Sequence, residues 1–417
     1  MCFRWQDGDA VHRAMNPPGI LHGIRVLDAA SWVAGPAAAT LMSDFGAEVV
    51  KIEPPGGDSY RAFANTPGVP QSDLNYPWLL SSRGKKSIVL DLSVPDGREV
   101  LIRLVRGADV FIANYPPARA RKLGISYRDL AAANPRLVYA SITGYGDTGP
   151  EADKLGFDIN AWWARSGLMD MVRAIDALPS GSAPGMGDHP TAMALFAGIM
   201  MALFRRERTG RGSRVSTSLL ANGLWANGIF VQALLVGAAF QPKRPREHAR
   251  NPLANLYRSR DGRWFLLTVT RDDREWPSLA HGIGRPELLD DPRFATRESR
   301  REHAAALVAI LDETFASREW SEWREVLAAG RITSGPVARL ADVSDDAQAR
   351  AAGAIVPLQS EGRPGLATVA SPIAISETAQ RPPSAAPAIG EHTDEVLRAA
   401  GYDADEIAAL RSRRVIG

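Results

Sequence analysis

The segment Gly185-Met186-Gly187-Asp188-His189-Pro190 joins a Pro/Gly-rich loop to a long apolar run, residues 192–204. Two glycines permit a tight turn and let a ligand approach the main chain. Asp188 is expected at the mouth of a helix, where free N–H groups and the positive dipole end favour a carboxylate. Two roles fit it: a helix cap, or a carboxylate nucleophile that the helix end keeps ionised. A second carboxylate, Asp158 in Gly156-Phe157-Asp158, precedes the apolar residues 159–163 and reads first as a cap. Gly144-Tyr145-Gly146-Asp147-Thr148-Gly149 has the literal spacing of a dinucleotide-binding turn. Pro150 and a polar loop follow where that turn needs a helix, so Gly144 is assigned to a Gly-rich ligand loop.

Other chemistries are disfavoured. There is no P-loop, His-Glu-x-x-His or Gly-x-Ser-x-Gly pattern, and the seven histidines are scattered without metal-ligand spacing. Cys2 is the only cysteine, which excludes an internal disulfide and fits a reducing cytoplasm. With 49 Lys+Arg against 47 Asp+Glu, the net charge of +2 gives no field for nucleic acid. Residues 192–204 are too few to span a bilayer, and Arg205-Arg206 closes the run. The first 20 residues carry Arg4, Asp7, Asp9, His12 and Arg13 with no apolar core, so no secretory leader is expected.

The elements that must position these residues follow from hydrophobic periodicity. Strands are predicted over 24–27, 49–52, 87–92, 110–113, 137–142 and 214–218, with helices over 37–45, 95–105, 126–133, 192–204 and 219–235. Such alternation predicts an α/β, Rossmann-like doubly wound parallel sheet with ligands beyond the carboxyl ends of its strands. The boundaries are a large domain over 20–235 and a polar linker over 236–255. A smaller α+β domain covers 256–370, and a linker and C-terminal tail cover 371–417. The small domain should open on a hairpin, 256–260 and 263–268, turned at Asp261-Gly262, with helices over 274–279, 301–316 and 320–329. Residues 381–387 read as a linker before a helical tail, 393–411.

A resemblance adds to this reading. The runs Arg25-Val26-Leu27-Asp28, Ala34-Gly35-Pro36 and Phe45-Gly46-Ala47-Glu48-Val49-Val50-Lys51-Ile52-Glu53 look like the opening of the family III CoA-transferases, the CaiB/BaiF family. The likeness continues through Asn114-Tyr115, Leu123-Gly124, Gly144-Tyr145-Gly146, Gly187-Asp188 and Gly390-Glu391-His392-Thr393. It implies an enzyme that moves coenzyme A from an acyl-CoA to a free carboxylic acid, through an anhydride and then a CoA thioester on an aspartate. Asp188 occupies the matching place. The resemblance further implies CoA contacts at Val33, Ala34, Leu90, Asp91, Leu92, Ser93, Asn114, Tyr115 and Lys122, with Asp158 and Gly144 near the substrate. Lys122 or Arg61 is then a partner for CoA phosphates, and Lys122 reads equally well as a solvated helix residue. CoA enters as co-substrate, no permanently bound cofactor or metal is expected, and the family association is an interlocked homodimer.

Two features depart from the formyl-CoA/oxalate members: the stretch 248–253 lacks the glycines of their lid, and Pro54-Pro55 stand where they carry a basic phosphate contact. The related α-methylacyl-CoA racemases pair an aspartate at the position of Asp158 with an upstream histidine. No histidine lies between His22 and His189, which disfavours proton exchange between two bases. A racemase using Asp158 and a non-catalytic CoA-binding protein remain the alternatives.

Overall fold

A computed structural model describes residues 19–417 except 361, 362 and 379. The readings made on Cys2 and on a leader therefore lie outside the described residues. Six strands form one parallel sheet: β1 (Arg25–Asp28), β2 (Glu48–Glu53), β3 (Lys86–Val89), β4 (Val110–Ala113), β5 (Val138–Thr143) and β6 (Ser213–Ser218). Their order is β3-β2-β1-β4-β5-β6, so the winding reverses between β1 and β4. Ligand crevices of open α/β sheets lie at that reversal, outside the carboxyl ends.

Neighbouring residues in each strand feed opposite faces, as the pleat requires. Val26, Val110 and Val138 pack with Ala38, Met42, Leu195 and Ile199, from the helices Ala34–Asp44 and Asp188–Thr209. Leu27, Phe111 and Tyr139 pack with Leu101, Leu130, Leu397 and Ile407 on the other face. The chain thus has the expected mixed α/β architecture with a parallel sheet covered by helices. All eleven residues of Ala34–Asp44 are buried. Its small side chains allow that: a Cβ on Gly35 would lie 2.3 Å from the Cβ of Ala30.

Several boundaries move for local reasons. The apolar run 192–204 is the middle of a longer helix, Asp188–Thr209, because the arginines and Thr209 continue it until Gly210 turns left-handed at φ 68°. The predicted helix 219–235 is two, Leu219–Ala226 and Gly228–Leu235. Asn227 breaks it and donates its Nδ2 to Ser166 O at 3.0 Å. The predicted helix 301–316 likewise divides at His303 into Arg297–Glu302 and Ala304–Phe315. Residues 381–387 are not a free linker: Arg381 N–H donates to Asp44 O at 2.7 Å, and Pro387 O accepts from Arg61 at 3.1 Å and Trp78 at 3.2 Å.

The chain divides into two compact units, and residues 348–417 belong with the sheet. There Ser371 donates to Asp44 at 2.5 Å, and Val396, Leu397, Ile407 and Leu410 are buried. The second unit, Met169–Ser180 with Gln232–Ala347, ends before the residue 370 read from the sequence. It holds an antiparallel sheet of β7 (Ala254–Arg258), β8 (Trp264–Thr268) and β9 (Ser334–Pro336). The hairpin turn falls at Asp261-Gly262, where Gly262 has φ 76°. Tyr257, Phe265, Phe315 and Trp323 form its aromatic centre, and Arg246 clamps Asp312 through two bonds of 2.9 and 2.6 Å.

One glycine in the sheet unit has no room to change. A Cβ on Gly97, in the first turn of the helix Pro95–Arg106, would lie 1.8 Å from Asp91 O. Gly97→Ala is expected to lower unfolding free energy by about 1–3 kcal/mol, through forced backbone displacement. An unchanged urea midpoint would refute this.

Candidate active site

Charged side chains are buried within β1 and β2. Asp28, Lys51 and Glu53 are all fully buried, as are Asp58 and Lys85. Lys51 Nζ meets Asp58 Oδ2 at 2.9 Å and also donates to Ala30 O. Lys85 Nζ meets Asp28 Oδ2 at 2.8 Å and donates to Pro36 O at 2.7 Å and Ser81 O at 2.8 Å. The two ammonium groups thereby hold both ends of the loop that leaves β1. Burial opposes the charge of Lys51, but the attraction of Asp28 and Asp58 outweighs it and raises the pKa. For Lys85 burial dominates, and the pKa falls to about 8. Glu53 takes two 2.7 Å bonds from Arg61, one of 2.5 Å from Ser87 and one of 2.9 Å from Asp58 N–H. Arg61, offered by the sequence as a phosphate partner, is thus engaged by a buried carboxylate.

The loop after β1 is also tied across the reversal point. Asn114 accepts from Ser31 N–H at 3.0 Å and donates to Ser31 O at 2.8 Å. Between these anchors Trp32 takes φ 68°, an uncommon left-handed conformation for a bulky residue. Its N–H donates to Asp58 Oδ1 at 3.3 Å, and its ring lies 6.0 Å from Tyr60, 6.5 Å from Phe63 and 5.0 Å from Phe157. Sequence reading missed this group, because residues 32, 60, 63 and 157 share no periodicity.

Phe157 leads to the two carboxylates. Asp158 caps a π-helical turn, Ile159–Ala164, accepting from Ile159 N–H at 2.8 Å; its other oxygen accepts from Gly187 N–H at 3.1 Å. Such turns concentrate at functional sites. The cap reading of Asp158 holds, with a second, long-range bond added. Gly187 is required here, since a Cβ would lie 2.6 Å from Trp162 Cγ. Gly144 has a comparable reason: a Cβ there would lie 3.0 Å from Gly156 Cα. The Gly-rich loop after β5 therefore packs backbone against backbone on the Asp158 segment.

Asp188 differs from its sequence reading in two respects. Gly187 is the cap residue, and Asp188 is the first helical residue. The helix end also does not keep it fully ionised. Burial first, and the neighbouring Asp158 second, push its pKa from 3.8 to about 7. Burial also lowers the pKa of the adjacent His189. Tyr60 is raised to about 12, by burial and then by Asp188, which places the aromatic group within reach of that charge.

The remaining sequence-assigned residues fall in two places. Val33 and Ala34, buried at the start of their helix, and Asn114 and Tyr115 share the reversal point between β1 and β4. Leu90 to Ser93 lie past β3 at the sheet edge. There Leu90 bridges Ile416, Asp91 accepts from Ser93 N–H at 2.8 Å, and Leu90 and Leu92 are buried. Lys122 is exposed at the end of the short helix Pro117–Lys122. Among the described residues no cluster of His, Cys, Asp and Glu is arranged to hold a metal ion, and no helix is long and apolar enough to cross a membrane.

Comparison with known proteins makes the class of the chain specific. The profile of CoA-transferase family III matches residues 21–393. The chain belongs to that family and is an enzyme of the CoA-transferase class. It is 31% identical over 399 residues to (R)-2-hydroxy-4-methylpentanoate CoA-transferase of Clostridioides difficile, covering 95% of this chain and 99% of that protein. Succinyl-CoA:glutarate CoA-transferase of Mus musculus is 31% identical over 404 residues, covering 95% and 90%. Formyl-CoA:oxalate CoA-transferase of Escherichia coli is 30% identical over 429 residues, covering 95% and 99%. A CaiB/BaiF family protein of Brucella suis shares the fold with a TM-score of 0.82 at 29% identity, over 92% and 100% of the two chains.

The raised pKa of Asp188 carries a stability consequence. Between pH 3.8 and about 7 the folded protein keeps a proton that the unfolded chain has lost. Stability therefore falls as pH rises through that window. Asp188→Asn removes the titration and should be more stable than the parent at pH 8, by on the order of 2 kcal/mol given partial solvent screening. The advantage should vanish below pH 4, as measured by urea unfolding across pH. A gain independent of pH would contradict the assignment.

Proposed function

We propose that this enzyme transfers CoA from an acyl-CoA to a free carboxylic acid through covalent intermediates on Asp188. The observation that carries the reading is the place of that carboxylate in a chain matched by the family over residues 21–393: it follows Gly187, whose N–H is held by Asp158, at the start of a long helix, and burial raises its pKa. Desolvation and a raised pKa make a carboxylate a stronger nucleophile once its proton is gone. Its oxygen attacks the thioester carbonyl, the C–S bond breaks, and an acyl–aspartyl anhydride and CoA thiolate result. The thiolate then attacks the aspartyl carbonyl, releasing the first acid and leaving aspartyl-CoA. The acceptor carboxylate displaces the thiolate to form a second anhydride, and thiolate attack on its acyl carbon frees the new acyl-CoA and Asp188.

In this reading Val33, Ala34, Asn114 and Tyr115 line the CoA path at the reversal point, and Leu90 to Ser93 and Lys122 serve its nucleotide end. Asp158 is a positioning residue, because one of its oxygens accepts from Ile159 N–H and the other from Gly187 N–H, which ties the Gly187-Asp188 turn to the π-helical turn. That occupancy also disfavours the racemase alternative, in which Asp158 must exchange a proton with substrate. An interlocked homodimer is part of the proposal. It is supported by the apolar exposure along 225–236, where Trp225, Ile229, Leu235 and Val236 are each more than 70% accessible. A cytoplasmic location completes it.

Asp188→Ala should bind CoA yet lose label exchange between acyl-CoA and free acid, with no aspartyl-CoA adduct in the mass spectrum; retained exchange would exclude the mechanism. For the parent enzyme, kcat/KM should rise with pH up to about 7 and then level off. Incubation of a 2-methylacyl-CoA in deuterated water should give no α-deuteration. Sedimentation equilibrium should return a dimer, and a stable monomer would remove that part of the proposal.

A further inference from the structure

The relatives named above act on acids as different as oxalate and 2-hydroxy-4-methylpentanoate. Oxalate and glutarate carry a second carboxylate, and a site for such acids needs a cation to meet it. Arg83, the cation whose charge acts on the adjacent His189, is paired with Asp44 at 2.8 Å. The one charge resolved as acting on Asp188 is Asp158, and those acting on Tyr60 are Asp188, Tyr76, Asp58 and Asp158. The cations of the nearby loops are committed elsewhere. Lys51 is paired with Asp58, Lys85 with Asp28, Arg61 with Glu53 and Arg83 with Asp44.

What the site does offer is aromatic surface. Trp32 is 36% and Phe157 51% accessible, and their rings meet edge to face at 5.0 Å. Tyr60 and Phe63 stack behind them at 5.3 Å. Trp32 is held outward by a left-handed backbone that the Asn114–Ser31 bonds and Asp58 enforce. Rings kept exposed at the cost of backbone strain, one residue from a carboxylate bound to Gly187, are placed to receive a planar apolar group. A dicarboxylate placed there would face like charges and ring faces, while Lys51, Lys85, Arg61 and Arg83 among the described residues are already paired.

We propose that the acyl site beside Asp188, walled by Trp32 and Phe157, selects monocarboxylic acids with an aromatic side chain and rejects dicarboxylic acids. This rests on the CoA-transferase reading of Asp188, and the experiment separates the two. Self-exchange is measured on the full-length enzyme with 3-phenylpropanoyl-CoA and labelled 3-phenylpropanoate, with succinyl-CoA and labelled succinate, and with acetyl-CoA and labelled acetate. The expected kcat/KM for the phenyl substrate exceeds that for succinyl by about a hundredfold, because an apolar wall and an unmet charge act together. Phe157→Ala should reduce the phenyl-to-acetyl preference by about tenfold, the scale of one lost ring contact. Trp32→Gly, which suits the left-handed backbone, should do the same should Phe157→Ala fold poorly. Succinyl exchange equal to or faster than phenyl exchange, or a preference unmoved by either variant, overturns the proposal.

Binding of free 3-phenylpropanoate and of succinate is titrated calorimetrically alongside. With no exchange of any pair, the transferase reading fails. The acyl-site proposal then stands on saturable binding of the phenyl acid that Phe157→Ala weakens, and it falls if succinate binds as well or neither acid binds.

Discussion

The structure depends on two buried lysines, Lys51 inside a strand of the parallel sheet and Lys85 just before the next strand. Lys51 and Lys85 are buried with Asp58 and Asp28, and they also satisfy backbone carbonyls of the loop that leaves β1. Removing either member of such a pair strands an uncompensated charge, at a cost of about 3–5 kcal/mol. Hydrophobic replacement of both members is often tolerated for stability. It would not supply the hydrogen bonds that fix residues 29–36. The charges therefore specify a loop conformation more than they stabilise a core. The left-handed Trp32, the start of the Ala34 helix and the crevice beside Asn114 all inherit that specification.

The second constraint is the bond from Gly187 N–H to Asp158. It joins two parts of the long connection between β5 and β6, and Gly144, Gly156 and Gly187 let them pass closely enough for it to form. The same contact sets one carboxylate against another. A helix start alone would hold Asp188 ionised. Here burial and Asp158 outweigh the dipole, and the pKa of the carboxylate is pushed up to about 7. Fold precision and the basicity of this carboxylate arise from one arrangement, consistent with perturbed carboxylates gathering at functional sites.

Much of this was legible in the amino-acid sequence. Alternating β-branched runs and helical periodicity gave the doubly wound sheet, and all six strands were placed to within three residues of their ends. The Gly187-Asp188 turn stood out because glycine, carboxylate and apolar run follow one another locally. The buried ion pairs left a trace: Lys51 within Val-Val-Lys-Ile-Glu is a charge set directly between the apolar Val50 and Ile52. What sequence could not give was pairing across distance. Arg61 looked available for phosphate because nothing local marks Glu53 as its partner, and residues 381–387 looked free because their anchors, Asp44 and Trp78, lie some three hundred residues upstream. The aromatic group around Trp32 was invisible for the same reason. Helix breaks at Asn227 and His303 turned on single residues whose competing bonds are tertiary or terminal.

The π-helical turn Ile159–Ala164 makes the site sensitive to chain length as well as to residue type. A π turn is an α-helix holding one surplus residue, so its removal relaxes the coil and rotates everything beyond it by roughly a third of a turn. In this chain that rotation would carry the Trp162 ring away from Gly187 and leave the Asp158 carboxylate aimed elsewhere. Insertions and deletions within 156–166 are consequently a different class of genetic change from substitutions there. They shift the register of the turn, and relatives that differ by one residue in this stretch can be sorted by register before their acids are compared.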